Sequence, residues 1–169
     1  KGRCAVLSGS CSETTRRQIA THAGDEMQYE LDVAAVMRDE VSVTELVSWL
    51  LAQKGVPMLY SSAYPKLVKS VQAEFGVSAV AAKLDRMFGE VAILLVDAGI
   101  ERLIVAGGET SGAVVEALAL NILSIGPEID PGVPAMRAGK TLTLALKSGN
   151  FGADDFFQKA ALVLAGGMA

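Results

Sequence analysis

Short apolar runs alternate with amphipathic stretches along this chain, and each kind of segment has its own period. The runs in Arg3–Leu7, Met58–Tyr60 and Leu103–Ala106 are continuous enough to be strands buried on both faces of a sheet. Met27–Leu31 alternates more weakly and predicts a further short strand. Between these runs the apolar residues recur at helical spacing. Strands that alternate with helices indicate an α/β fold.

The predicted helices have recognisable starts. Ser12 is suited to cap a helix over Glu13–Thr21, and the stretch 39–43 opens a second helix. The longest helix is predicted over Ser78–Asp97, and Asp154 and Asp155 begin the last one, which runs to Leu164. The apolar stripe of the longest helix favours packing into the core over contact with a cofactor; it consists of Val80, Leu84, Met87, Phe88, Val91, Leu94 and Leu95.

The pattern changes after Leu120. Ile122–Ile125 predicts a strand, and Gly126–Pro134 (GPEIDPGVP) predicts a rigid loop because it holds three of the five prolines. Ala135–Lys147 alternates again and predicts a strand, with a short hairpin partner before it as an open alternative. We therefore expect residues 1–169 to form a single domain, a three-layer α/β sandwich with a mainly parallel sheet, a mixed sheet being the alternative.

Three glycine-rich loops stand out because each follows an apolar run. They are Val6–Ser12 (VLSGSCS), the segment after Ala106 (GGETSG) and Leu146–Gly152 (LKSGNFG). A strand, a glycine turn and a helix start aim free backbone N–H groups at one point, which favours an anion. Strand ends of an open α/β sheet converge on one crevice, so these loops predict a shared ligand site.

Two common nucleotide motifs are absent. Gly139, Lys140 and Thr141 look like the end of a P-loop, but the glycine required five residues earlier is replaced by Pro134, and the segment leads into a strand. Gly107, Gly108 and Gly112 do not have the spacing of the dinucleotide fingerprint.

Composition excludes several classes of partner and environment for this chain. A net charge of −4 gives no basic footprint for nucleic acid, and no apolar run approaches the roughly 18 residues of a membrane span. Cys4 and Cys11 are too few for a disulfide framework, and they fit a reducing cytosol. The chain begins at Lys1 and enters a strand pattern almost at once, so we expect it to be a piece of a longer protein.

Several single residues carry open alternatives. Glu109 could reach a metal or a sugar hydroxyl, and Asp130 is the other candidate metal ligand. Lys147 could hold a phosphate or lie at the surface of a sheet edge. Phe151 could stack on a base or fix its loop to the core. His22, the one histidine, is expected to be a solvated helix-end residue.

Taken together and in this order, VLSGSCS, VAGGETSGAVVEAL, GPEIDPGVP and LKSGNFG resemble one family over essentially the whole chain. The family is the C-terminal nucleotide-binding domain of the four-carbon acid sugar kinases, which include 3-oxo-tetronate and related tetronate or threonate kinases. The resemblance implies an ATP site whose residues lie in the three glycine loops: Ser8, Gly9, Ser10 and Ser12; Gly107, Gly108, Glu109, Thr110 and Ser111; and Gly149, Asn150 and Gly152.

The resemblance also implies partners. Members bind ATP with Mg²⁺ in this domain and the acid sugar in an N-terminal domain, which this chain lacks, and they phosphorylate the terminal hydroxyl of the sugar. The expected location is the cytoplasm. A non-catalytic regulatory module that binds a sugar phosphate or a nucleotide is the alternative, and the abundant apolar residues are compatible with a homodimer.

Overall fold

The computed structural model describes residues 2–61 and 65–166. In this part of the chain a seven-stranded sheet lies between helices. The strands are β1 (Arg3–Ser8), β2 (Gln28–Glu30), β3 (Met58–Tyr60), β4 (Ile100–Ala106), β5 (Ser124–Asp130), β6 (Val133–Ala138) and β7 (Leu142–Lys147). The helices are α1 (Glu13–His22), α2 (Val33–Met37), α3 (Val43–Ala52), α4 (Pro65–Phe75), α5 (Val77–Asp97), α6 (Gly108–Ala117) and α7 (Phe156–Gly166).

The sheet is mixed, with the strand order β2-β3-β1-β4-β7-β6-β5. The first five strands in this order are parallel, and β6 and β5 complete the sheet as antiparallel neighbours. The chain therefore runs outward from β1 to one edge and later resumes at β4 on the other side of β1. The order in which the chain adds strands therefore reverses between β1 and β4, and ligands of open α/β sheets bind at such a point.

Side chains that alternate along the strands pack into two separate cores, one on each face of the sheet. Ala5 and Leu7 point to the face covered by α2, α3, α5 and α6, whereas Cys4 and Val6 point to the face covered by α1 and α7. The predicted three-layer sandwich is confirmed. None of the described helices is both long and apolar enough to span a membrane.

The prediction of a rigid loop at Gly126–Pro134 is wrong, because this segment is the hairpin formed by β5 and β6. The prolines that suggested a loop lie where a missing N–H costs little. Pro127 lies on the edge strand at an irregularity of the pairing. Pro134 pairs with β5 only, since the pairing of β6 with β7 begins at Ala135. The expected hairpin partner before β7 is confirmed as β6.

Candidate functional site

A cavity of about 540 Å³ opens at the carboxyl ends of β1 and β4. It forms there because the helix after β1 covers one face of the sheet and the helix after β4 covers the other. Ser10, Gly108 and Gly149, one residue from each glycine loop, all line it. The predicted convergence of the three loops is therefore confirmed. The volume lies within the usual range for a small-molecule site.

The cavity has two chemically different sides. One side consists of the glycine loops, with Gly9, Ser10, Cys11 and Ser12, then Gly107, Gly108, Glu109 and Thr110, and finally Gly149. The other side comes from α2, α4 and the first turns of α5 and is mainly apolar, with Val33, Val71, Gln72, Val80, Ala81, Leu84 and Asp85. Such a cavity can take a ligand that has one flat apolar part and one anionic part.

Not every residue that the resemblance implies lies on the cavity wall. Ser8 is fully buried at the end of β1, and Ser111 is buried in the first turns of α6. Asn150 and Gly152 lie beyond the lining, in the exposed and half-buried continuation of the third loop. Of the twelve predicted site residues, these are the four that do not line the cavity.

The start of α6 supplies the free amides of the site. Gly107 has a φ of 118°, which allows the chain to turn abruptly from β4 into the helix and which favours glycine. The first intrahelical bond at this end is donated by the N–H of Ser111 to Gly107 O, 2.9 Å away. The preceding N–H groups of the helix are left for a ligand, and the helix dipole adds a partial positive charge.

A network of hydroxyl groups joins the first loop to the third. Ser12 caps α1 by accepting a hydrogen bond from the N–H of Thr15, as predicted. Its hydroxyl also donates to Gly149 O at 2.7 Å, and the hydroxyl of Thr15 donates to the same oxygen at 2.8 Å. Ser10 Oγ lies 3.1 Å from Thr15 Oγ1, so the two hydroxyls are also in contact. These contacts hold the two loops in register at the polar side of the cavity.

Two carboxylates share the cavity with the free amides. Glu109 is exposed in the first turn of α6, and Asp85 is half-buried on α5. Burial raises the pKa of Asp85 above its ordinary value, and the negative charge of Glu109 raises it further. A cation between them, or a hydroxyl that donates to them, would relieve this repulsion. Among the described residues, no group of three or more side chains forms a metal cluster.

Lys147 is buried with only 1% of its surface exposed, so the alternative of a surface lysine is wrong. Its position in β7 turns the side chain to the face covered by α1 and α7, where Thr15 and the Phe156 ring surround it. Desolvation lowers the pKa of Lys147 to about 8. Among the described residues it forms no ion pair with a carboxylate, and its ammonium donates to three neutral oxygens.

His22 is fully buried, so the expectation of a solvated residue is wrong. Its Nε2 lies 2.8 Å from Val56 O, and its ring packs edge-on against Phe157. Burial lowers the pKa of His22, which keeps the ring neutral and structural. The position of the residue at a helix end gave no signal that α7 covers it.

Asp130 serves a loop rather than the cavity. Its carboxylate accepts a hydrogen bond from the N–H of Ala153 at 2.9 Å and forms an ion pair with Lys159. Although burial raises the pKa of Asp130, the bonds from Lys159 and Ala153 outweigh it and hold that pKa below its ordinary value. These contacts secure the third loop against β5. Phe151 is 45% exposed, and its ring lies against Gly132 in the β5–β6 turn.

The apolar side of the cavity is the part that sequence reasoning missed. Val80 and Leu84 belong to the stripe that was expected to serve the core alone, yet both line the cavity. Leu94, from the same stripe, is 38% exposed. Ser61, directly after β3, also lines the cavity, and its buried hydroxyl has no hydrogen-bond partner among the described residues. The sequence signal that could have found Ser61 was its position at the end of a strand that lies beside β1.

Comparisons with known proteins identify the family of the chain. A family model described as "Nucleotide-binding C-terminal domain" matches residues 5–157. A Brucella melitensis protein named 3-oxo-tetronate kinase is 45% identical over 164 residues, which cover 95% of this chain and 38% of the relative. A Pseudomonas fluorescens protein of the same name is 44% identical over 167 residues, which cover 97% of this chain and 39% of the relative. The chain thus spans about two fifths of the length of these relatives.

Solved structures share the fold. A Haemophilus influenzae protein superposes with a TM-score of 0.90 at 37% identity, over 95% of this chain and 40% of that one. A Bordetella bronchiseptica protein, crystallised with citrate as a domain-swapped dimer, superposes with a TM-score of 0.73 at 21% identity, over 95% of this chain and 40% of that one; it supports the fold alone. Because the family model covers nearly the whole chain, the chain belongs to the family of nucleotide-binding C-terminal domains.

Proposed function

We propose that this chain is the ATP-binding domain of a kinase that transfers the γ-phosphoryl group of ATP to the terminal hydroxyl of a four-carbon acid sugar of the 3-oxo-tetronate, threonate or erythronate type. The observation that carries the proposal is the two-sided cavity between β1 and β4. The names of the relatives support the reaction. The chain spans about two fifths of those relatives, and the proposal assigns the sugar site and the general base to a further part of the protein.

The two sides of the cavity suit the two parts of ATP. The adenine ring packs against the apolar side, where Val33, Val80 and Leu84 exclude water. The phosphates lie at the glycine loops and the N-terminus of α6, whose free amides and dipole stabilise negative charge. A regulatory site for a sugar phosphate would need only the polar side of the cavity. The apolar side therefore favours a nucleotide as the ligand.

Mg²⁺ fits the carboxylates of the same cavity. Proteins commonly hold this ion through one or two carboxylates together with the phosphates of the substrate. Glu109 and Asp85 both line the cavity, and burial together with the charge of Glu109 raises the pKa of Asp85. The bound ion neutralises phosphate charge during phosphoryl transfer. Glu109, next to the free amides of α6, is the first candidate ligand.

Ligand-dependent melting of the 169-residue chain tests the nucleotide proposal. A ligand that binds only the folded form raises the melting temperature. We expect Mg-ATP and Mg-ADP at millimolar concentration to raise it, and inorganic phosphate and a four-carbon sugar phosphate to raise it much less. Equal stabilisation by the sugar phosphate would favour the regulatory module instead, and no shift with Mg-ATP would contradict nucleotide binding. The kinase reaction itself is measured on the longer protein with each acid sugar.

A homodimer and a cytoplasmic location stay predictions. The exposed side chains of Ile122, just before the edge strand β5, and of Ile125, within it, support self-association. Sedimentation of the chain at increasing concentration tests the dimer, and substitution of Ile125 by lysine should then dissociate it.

A further inference from the structure

The ammonium of Lys147 lies behind the third glycine loop and contacts its backbone from the buried side. Nζ donates to Ser148 O and to Gly149 O, each at 3.1 Å. A third bond, also 3.1 Å long, goes to Thr15 Oγ1, which itself donates to Gly149 O. With the bond from Ser12, the carbonyl of Gly149 accepts three hydrogen bonds on this side. These two carbonyls are therefore held firmly inward.

The orientation of these carbonyls fixes the direction of two amides. In a planar trans peptide, the N–H group points opposite to the C=O group of the same unit. When Ser148 O and Gly149 O point toward Lys147, the N–H groups of Gly149 and Asn150 point away from it. Neither N–H forms a hydrogen bond within the described part of the chain. Gly149 lines the cavity, so its free N–H faces the side on which the phosphates are proposed to lie, whereas Asn150 is exposed just beyond the lining.

We propose that Lys147 is a positioning residue for phosphate: it orders the amide of Gly149 toward the anion and adds its positive charge from behind the loop, without touching the ligand. The inference rests on the proposed function, because it assigns the polar side of the cavity to phosphate. It differs from the role of a lysine that contacts phosphate directly, since the buried side chain is fully used by Thr15 and the loop carbonyls.

The charge of Lys147 matters as well as its hydrogen bonds. In the described part of the chain, its ammonium has no carboxylate partner, and the Phe156 ring lies 5.9 Å away on the other side. A charge in a low-dielectric surrounding acts over a longer distance than one in water. An anion at the loop therefore supplies the counter-charge that the folded protein lacks, and the two favour each other.

Binding of three ligands to wild type, Lys147→Met and Lys140→Met tests the inference. The ligands are ATP, inorganic triphosphate and adenosine, measured by titration calorimetry. Lys140→Met is the matched control, because it removes the same charge from an exposed turn at the opposite end of β7. We expect Lys147→Met to weaken ATP and triphosphate by about tenfold or more. Adenosine binding should not change, and Lys140→Met should behave as wild type.

The outcomes separate this inference from the proposed function. Wild type that binds triphosphate but neither ATP nor adenosine would refute the ATP site and leave the role of Lys147 in place. Unchanged triphosphate binding by Lys147→Met, or an equal loss of adenosine and triphosphate, would overturn the inference alone. Wild type that binds none of the three ligands overturns both.

Amide spectra and a second variant distinguish the loss of amide positioning from a general loss of structure. In ¹H–¹⁵N spectra of the wild type, triphosphate should shift the amide signal of Gly149, and this shift should be lost in Lys147→Met. If that variant does not fold, Thr15→Val decides in its place, because it removes the hydroxyl that links Nζ to Gly149 O and keeps the charge. Thr15→Val should then weaken triphosphate and leave adenosine unchanged; full triphosphate affinity would contradict the inference.

Discussion

The hydroxyl of Ser12 donates a hydrogen bond to the carbonyl oxygen of Gly149, 2.7 Å away, and joins two loops that are 137 positions apart in sequence. Ser12 also caps α1, so the same side chain fixes the start of a helix and the position of the third glycine loop. The polar side of the cavity is therefore assembled by short polar side chains and backbone groups. Its geometry should be sensitive to small additions of volume.

Gly149→Ala tests this sensitivity. A Cβ at this position would lie 2.5 Å from Ser10 Oγ and 3.1 Å from Ser12 Oγ, which is too close for either hydroxyl to stay in place. We expect the free energy of unfolding to fall by about 1–3 kcal/mol and Mg-ATP binding to weaken. Denaturant unfolding and calorimetry measure the two effects.

Gly112→Ala is the matched control for that change. Its Cβ would meet nothing within 4 Å, and the residue lies inside α6. Alanine in a helix interior should stabilise the protein by roughly 0.5–1 kcal/mol and leave nucleotide binding unchanged. If both variants lose affinity equally, packing against Ser10 and Ser12 is not the cause.

Leu84→Gln tests the apolar side of the cavity. The side chain lines the cavity from α5, so a polar amide there should weaken ATP and adenosine but leave inorganic triphosphate unaffected. Leu94→Gln makes the same change on the same helix at a position 38% exposed, and it should bind as wild type. A loss of triphosphate binding by Leu84→Gln would show that the two sides of the cavity are not independent.

The buried ammonium of Lys147 predicts a rise of stability in alkali. Its pKa is lowered to about 8 in the folded protein, whereas the unfolded chain has the ordinary value of 10.5. Between these values the unfolded state binds more protons, so the free energy of unfolding rises with pH from about 8 to 10.5. Unfolding curves of wild type and Lys147→Met across this interval measure the effect, which should be absent in the variant. Parallel curves would contradict it.

Asp130→Asn tests the fastening of the third loop. The carboxylate binds Lys159 and the N–H of Ala153, so we expect a loss of about 1–3 kcal/mol at neutral pH. Because the pKa of Asp130 is lowered from 3.8 on folding, its ionic contribution is complete above that value and is lost as the pH falls through the folded-state pKa. Asp155→Asn is the control, since this exposed partner of Lys159 should matter little. Similar losses in both variants would contradict the assignment.

Continuous apolar runs that alternate with helical stretches predicted the parallel half of the sheet. The apolar runs of β1, β3 and β4 have no competing interpretation, and the three glycine loops follow from where the strands end. The antiparallel half was harder to predict from sequence, because the prolines of Gly126–Pro134 are typical of loops. Only the strand pairing explains why β5 and β6 tolerate them. Residue pattern cannot tell whether an apolar side chain faces protein or a cavity, which is why Val80 and Leu84 were assigned to the core. The burial of His22 and Lys147 was not predicted either, because it depends on how α7 packs against the sheet in the folded protein.

The position of β1 has a consequence for how the protein is made. Among the strands of this sheet β1 is synthesised first, but it lies in the middle of the sheet, and about a hundred residues separate it from its neighbour β4. A nascent chain on the ribosome therefore carries an unpaired apolar edge for much of translation, and contacts of such high order form slowly. A ligand of the cavity cannot stabilise the growing chain during this interval, because Gly149, the last of the lining residues in sequence, emerges later.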